Sequence, residues 1–421
     1  MTRFLFGTAV AAGHVTPTLP ISRALVERGH QVVWITGRTF KERIEATGAR
    51  FYPLPEAIDQ GDMNLYEFFP ELKKLHGLAQ LKWYVKHAFI DTSPAQITAI
   101  NAVLKEYHAD VLVGDLVILG IFYISELCVI PSALISVTPL PILSRDTAPF
   151  GLGLLPGGGR LAQARNRLLN WFSDYVILRD VNIHENKMRS QIGLQPRRAP
   201  FMRSAYKYPA LVMQLTTPAF EYPRRDLPAN VHFTGPMLPK LDPAYSPPVW
   251  WPDLSGDRPV ILVNQGTIAD NPEDLVFPVI ETFKNEDVLV VAVPFNVQTL
   301  GRVPKNVRAE KFIPFEHLLP HVDVMVTNGG YGGTQLALAH GIPLVVAGAT
   351  EEKMEVAARV EWSGVGINLR QRHPSPSKIQ EAVRQVLTTP TYRENARRIQ
   401  RDFAQYNGPQ RAAELLEALI T

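Results

Sequence analysis

An apolar, strand-like run, VDVMVT (322–327), passes straight into a turn rich in glycine, NGGYGGT (328–334), and then into the helix-patterned QLALAHG. This strand-turn-helix junction constrains the chain more than any other segment. Gly329, Gly330, Gly332 and Gly333 carry no Cβ, so their N–H groups can converge on an anion where the dipole of the following helix adds partial positive charge. A bound diphosphate is the expected ligand. The lysine of a P-loop is missing, because Thr334, Gln335 and Leu336 follow the glycines, and this excludes a Walker-type site.

Similar apolar runs alternate with helix-length stretches along the rest of the chain. FLFGTAV and QVVWIT flank LPISRALVERG and read as a βαβ unit, which DVLVGD, SALISVT, ALVMQL and VHFTGP extend into a parallel sheet. Between Pro236 and Pro259 the sequence is dense in proline and turn residues, which stop both helix and strand. Beyond it, PVILVNQ, VLVVAV, VDVMVT and PLVVAG predict a second parallel α/β domain. A chain of 421 residues, 46% of them hydrophobic, is too long for one core and fits this division.

Composition removes several function classes. The 43 basic and 40 acidic residues nearly cancel, and no basic run offers a nucleic-acid footprint. A single cysteine, Cys128, rules out an intramolecular disulfide framework and fits a reducing, cytoplasmic location. The N-terminus lacks a small-residue cleavage site and reads as a buried first strand. The apolar region Val111–Leu143 is interrupted by Asp115, Glu126 and the prolines 131, 139 and 141. It falls short of the ~20 uninterrupted residues of a spanning helix, so no stable membrane insertion is expected. No DxD-type cluster and no His or Cys pair at ligand spacing appears, so no metal or cofactor is expected.

The block from Pro314 to Val360, PFEHLLPHVDVMVTNGGYGGTQLALAHGIPLVVAGATEEKMEVAARV, resembles the donor-binding signature of family 1 glycosyltransferases of the GT-B fold, the UDP-glycosyltransferase and macrolide type. The segments FLFGTAVAAGHVTPTLPISRALVERGHQVVWIT and DRPVILVNQGT carry the likeness into both halves of the chain. The resemblance implies two Rossmann-like, doubly wound α/β domains facing a cleft. Residues 1–235 would bind the acceptor, 236–258 form the linker, 259–400 bind a nucleotide sugar, and 401–421 return as a helix to the first domain.

Transfer of a sugar to a hydroxyl needs a base for the acceptor proton, and a neutral histidine suits that role near pH 7. His14, in a turn after the first strand, matches the family's catalytic base, and Asp115, ending ADVLVGD, matches the carboxylate that orients it. For Asp115, capping of the following helix stands beside that reading. The resemblance further assigns Phe312 to stacking on the base and the backbone of Ile313 to its edge. Gly266, Thr267, Asn328, Gly329, Gly330, Gly332, Gly333 and Thr334 would surround the diphosphate, and Glu351 and Glu352 would hold sugar hydroxyls.

Three positions depart from the family pattern. Asn328 replaces a histidine, Leu336 a ribose-binding glutamate for which Gln335 is a possible substitute, and Glu351-Glu352 the usual Asp-Gln pair. Two carboxylates suit a neutral hexose and repel an acidic sugar. Aromatics of 60–100 and 140–205, including Trp83, Phe89, Phe150, Trp171 and Phe172, together with Phe122 and a flexible GLGLLPGGG, are candidate acceptor walls. The implied reaction is inverting, metal-independent transfer of a hexose, glucose above all, from a UDP- or dTDP-sugar co-substrate to an apolar hydroxylated molecule such as a polyketide, phenol, steroid or lipid. A catalytically idle auxiliary protein and a hydrolysing epimerase are the competing readings. Nothing in the sequence fixes the oligomeric state.

Overall fold

Two parallel sheets carry the chain in the computed structural model, which describes residues 1–61, 63, 65–266, 271–294, 296–348 and 352–420. The first is built from β1 (Arg3–Gly7), β2 (Gln31–Thr36), β3 (Arg50–Pro53), β4 (Val111–Gly114), β5 (Ser132–Ser136), β6 (Leu211–Gln214) and β7 (Val231–Phe233) in the order β3-β2-β1-β4-β5-β6-β7. The second holds β8 (Val260–Asn264), β9 (Leu289–Val293), β10 (Val307–Ala309), β11 (Val324–Thr327), β12 (Leu344–Val346) and β13 (Gly366–Asn368) in the order β10-β9-β8-β11-β12-β13. Both are doubly wound, as the alternating pattern requires.

The central strands explain themselves. β4 (VLVG) and β11 (VMVT) are buried along their whole length, because helices cover both faces of a parallel sheet and leave no polar side. The edges differ: β3 (RFYP) is largely open, and β10 (VRA) and β13 (GIN) have three residues each.

Each strand order reverses once, between β1 and β4 in the first sheet and between β8 and β11 in the second. At such a switch point neighbouring loops diverge to opposite faces and leave a crevice at the carboxyl ends of the strands, where α/β proteins bind ligands. The registers bring Gly7 beside Gly114 and Asn264 beside Thr327 at those ends.

The sheets are tied together near the C-terminus and by one crossing segment. Ala396, Ile399 and Phe403 of helix Pro390–Phe403 join the second core, whereas Ala412, Ala413 and Leu416 of helix Gly408–Glu417 join the first. Glu417 there accepts from Arg28 Nε at 2.8 Å and pairs with His30 Nε2 at 2.6 Å. Between β6 and β7, Phe220 is buried in the second core and Tyr222 stacks edge-on against Trp362, with centroids 5.3 Å apart.

Candidate active site at two facing switch points

His14 and Asp115 come from the two strands that flank the first switch point. His14 lies in the first turn of helix Ala12–Glu27, not in a turn as its sequence context suggests, because β1 ends at Gly7 and only four residues separate strand from helix. Asp115 directly follows β4 and is 1% exposed, while His14 is 24% exposed. Their side chains meet at 2.8 Å between His14 Nδ1 and Asp115 Oδ2.

Asp115 is held from four directions. Oδ2 also accepts the Ala9 N–H at 2.7 Å, and Oδ1 accepts those of Val117 at 2.9 Å and Ile118 at 3.2 Å. The carboxylate therefore closes the turn before helix Leu119–Cys128 and faces the imidazole, but it does not cap that helix, whose N-cap is Ile118 without a side-chain hydrogen bond. With Nδ1 donating to Asp115, Nε2 keeps its lone pair for a proton from outside.

Burial alone would lower the His14 pKa, but the charge of Asp115, its hydrogen bond and the charge of Glu352 outweigh it and hold the imidazole above its ordinary value. Glu352 precedes helix Lys353–Trp362 of the other domain, so its field reaches His14 across the cleft. The sign of the consequence is definite. A raised folded-state pKa means the charged His14–Asp115 pair stabilises the fold below the unfolded imidazole pKa, and that contribution is lost as pH rises through the raised value. Were His14 to act as a base it would have to be neutral, and kcat/KM would then climb through a midpoint above that of a free imidazole. Asp115→Asn should move this midpoint down; a pH profile with an unmoved midpoint would dissociate Asp115 from the base.

The second switch point gathers the glycine turn. Gly329 follows β11 with φ +86°, and a Cβ there would come within 2.9 Å of Val346 Cγ1, so only glycine fits. Gly330 precedes helix Tyr331–Ala339, whose first amides, on Tyr331, Gly332 and Gly333, have no carbonyl of their own helix to bond. A Cβ on Gly332 would meet nothing within 4 Å, so the approach to these amides is open. Gly266, φ +80°, follows β8 beside it.

Asn328 joins the two turns by donating Nδ2 to the Gln265 carbonyl, a use of the amide that its sequence position did not disclose. Among the described residues its Oδ1, Thr334 Oγ1 and Gln335 Oε1 are buried without partners, a concentration of unmet polar atoms at one turn. Leu336 packs against the second core and offers a ribose no polar atom. Ile313 is buried, whereas Phe312 next to it is 75% exposed. Thr267 and Glu351 lie outside the described residues.

The proposed acceptor walls are scattered. Trp83 stacks between Phe69 and His87, Phe89 contacts Tyr84, and Phe122 packs under the first sheet. Phe150 lines a small cavity shared with Glu355 and Arg359. The glycine stretch behind Phe150, expected to be flexible, is anchored: Gly151 and Gly153 donate to Glu355 Oε1 at 2.8 and 3.0 Å.

That anchor belongs to a buried network invisible in the motifs. Arg359 Nη1 reaches Glu355 Oε2 at 3.1 Å, and its Nε and Nη2 reach Glu221 Oε1 of the first domain at 3.0 and 2.6 Å. Glu221 also accepts from Arg224 at 3.0 Å and from the Leu140 N–H at 2.9 Å. Burial pushes the Glu221 carboxyl up, yet Arg359 and Arg224 hold it below the usual range. The available signal was an acid and a base four residues apart, Glu355 and Arg359, inside the otherwise apolar EVAARV.

A family model described as the C-terminal domain of erythromycin biosynthesis protein CIII-like proteins matches residues 279–419. The 4'-demethylrebeccamycin synthase of Lentzea aerocolonigenes is 44% identical over 418 residues, covering 99% of both chains. The chain is a family 1, GT-B glycosyltransferase. UDP-glycosyltransferase 2 of Phaeomoniella chlamydospora is 33% identical to this glycosyltransferase over 97% of its length and 93% of the relative's. The crystal structure of the kitacinnamycin glycotransferase superposes with a TM-score of 0.77 at 20% identity, covering 100% of this glycosyltransferase and 99% of that chain. A spinosyn rhamnosyltransferase complexed with thymidine diphosphate superposes at 0.71 and 17% identity over 100% of each. No helix among the described residues of this glycosyltransferase is long and apolar enough to cross a membrane.

Proposed function

We propose that this glycosyltransferase transfers a neutral hexose, glucose first among them, from a UDP- or dTDP-sugar to a hydroxyl of an apolar natural product, inverting the anomeric carbon and using no metal, in the cytoplasm. The observation that carries this reading is the His14–Asp115 pair at one switch point, with the field of donor-domain Glu352 reaching it. In the step itself, the acceptor oxygen attacks the anomeric carbon and its proton passes to His14 Nε2. The bond to the diphosphate breaks, and the electron pair stays on the phosphate oxygen. The amides and dipole of helix Tyr331–Ala339 receive that charge. Asp115 fixes the imidazole and stabilises the imidazolium.

Phe312, exposed beside buried Ile313, is free to stack on a base, and stacking does not distinguish uracil from thymine. One relative carries UDP in its name and one structural neighbour holds thymidine diphosphate, so both donors remain in the proposal. Glu352, with Glu351, would accept hydrogen bonds from hexose hydroxyls. An acidic sugar beside such a carboxylate would meet repulsion of ~1 to 4 kcal/mol.

Incubation of UDP-α-glucose or dTDP-α-glucose with a panel of phenolic, polyketide, steroid and lipid alcohols, read by proton NMR, tests this. A β-glucoside is expected. An α-glucoside would overturn inversion, and conversion of the donor without any acceptor would support an epimerase instead.

A further inference from the structure

The helix Arg160–Phe172 and its continuation Ser173–Ile177 are built inside out. The buried stripe is polar: Asn166, Asn170 and Asp174, four residues apart, are 0%, 4% and 0% exposed. Asn170 Nδ2 donates to the carbonyls of Ser144 and Thr147 at 2.7 and 3.3 Å, Asn166 Nδ2 to that of Arg145 at 3.3 Å, and Asp174 takes the guanidinium of Arg203. Polar side chains thus fasten the helix to the loop beneath it.

The outer face carries large apolar side chains. Leu161 is 88% exposed, Leu168 65%, Trp171 54%, Phe172 44%, Tyr175 48% and Val176 47%. At about 100° per residue, Leu161, Leu168 and Phe172 fall within roughly 40° of one another, with Arg165 on the same face, so this is one amphipathic stripe and not a scatter of single side chains.

Charge identifies what covers it. Arg160, Arg165 and Arg167 are exposed on the same helix, and none makes an ion pair among the described residues. Its one acid, Asp174, is buried, and Asp180 at the start of the next helix is taken by Lys82 and Lys86. A second copy of the chain would bring two rows of arginines together. An anionic lipid surface complements them, while arginine stems and the rings of Trp171 and Tyr175 are suited to the headgroup layer.

We propose that the stripe Leu161–Val176 docks this glycosyltransferase on an anionic membrane surface, lying in the interface without spanning it. The loop bearing Gly151 and Gly153, pinned to Glu355, leads from the cleft to this helix, so docking sets the cleft beside the lipid phase. If the acceptor is as apolar as proposed above, that phase is its reservoir; lipid docking itself does not depend on that reading.

Flotation of the full-length protein with phosphatidylcholine vesicles, with and without about 30% phosphatidylglycerol, tests the proposal without any acceptor. Binding to the anionic vesicles, weakened by salt, is expected. Leu168→Glu and Trp171→Glu, at exposed positions that leave the fold intact by circular dichroism, should each lower the bound fraction by about tenfold. Replacing Arg160, Arg165 and Arg167 by glutamine should erase the preference for anionic vesicles. Absence of binding at low salt, or binding that both apolar replacements leave unchanged, would overturn the proposal. So would a dimer that Leu168→Glu converts to monomer, since the stripe would then be covered by a second copy.

Discussion

His14→Ala should lower kcat by ~10² to 10⁴-fold, the range of a lost general base, while nucleotide affinity stays near that of the parent. The separation follows from the architecture. His14 stands at the first switch point and the glycine turn at the second, so the substitution removes the proposed proton acceptor without touching the amides that would hold the diphosphate. The pair also behaves as a unit. Asp115→Asn retains one carbonyl oxygen for at most part of the four contacts that Asp115 makes, and turns an NH2 group toward either the imidazole or backbone N–H groups. That variant should lose rate and some stability together at every pH, whereas His14→Ala should lose rate and only the stability that the charged pair supplies at low pH. Equal kcat in parent and His14→Ala, measured at saturating donor and acceptor, would remove His14 from the mechanism.

Arg359→Leu should destabilise the protein by about 3 to 5 kcal/mol, because it leaves the buried Glu355 without its guanidinium and Glu221 with Arg224 alone. Both Glu221 and Glu355 depend on this guanidinium, and Glu221 is fully buried. Adding Glu221→Gln to Arg359→Leu should recover none of the loss, because Glu221 still pairs with buried Arg224, which the second change would leave without its counter-charge. Since the Glu221 carboxyl is held below its usual range, its contribution is present at neutral pH and disappears as acid takes the solution down through that depressed pKa. Urea unfolding of the single and double variants measures this directly. A loss within ~1 kcal/mol for Arg359→Leu would mean water already reaches the network.

The fold was written plainly where strands are buried along their length. FLFG, VLVG, VILVN and VMVT form continuous apolar runs because both faces of a parallel sheet are covered, and their alternation with helices leaves few topologies open. Three of the four edge strands were not legible: RFYP, VRA and GIN are partly polar, as strands with one open side can be, whereas the edge strand VHF was read from VHFTGP.

The candidate site divides along a similar line. Residues placed by backbone geometry, such as the glycines after β11, announce themselves because no other side chain tolerates φ +86° at Gly329. Residues placed by tertiary contact do not. Nothing local distinguishes Glu221, 138 positions before Arg359, or tells that Asn328 gives its amide to Gln265. The inside-out helix misled for the same reason: Trp171 and Phe172 read as pocket walls because aromatic residues are normally buried, while the burial of Asn166 and Asn170 depends on a loop distant in sequence.

Thermal unfolding with UDP, dTDP, GDP and NAD tests most directly whether the glycine turn, with Asn328 and Leu336 in place of the family's histidine and glutamate, holds a nucleoside diphosphate. At ~100 times its dissociation constant a ligand adds ~2.7 kcal/mol of native-state stability. UDP or dTDP should raise the unfolding temperature and GDP and NAD should not, and Phe312→Ala should weaken the effective nucleotide by roughly ten- to a hundredfold, the worth of one stacked base. No shift with either pyrimidine nucleotide, in protein whose unfolding is otherwise cooperative, would contradict a donor site at residues 328–334.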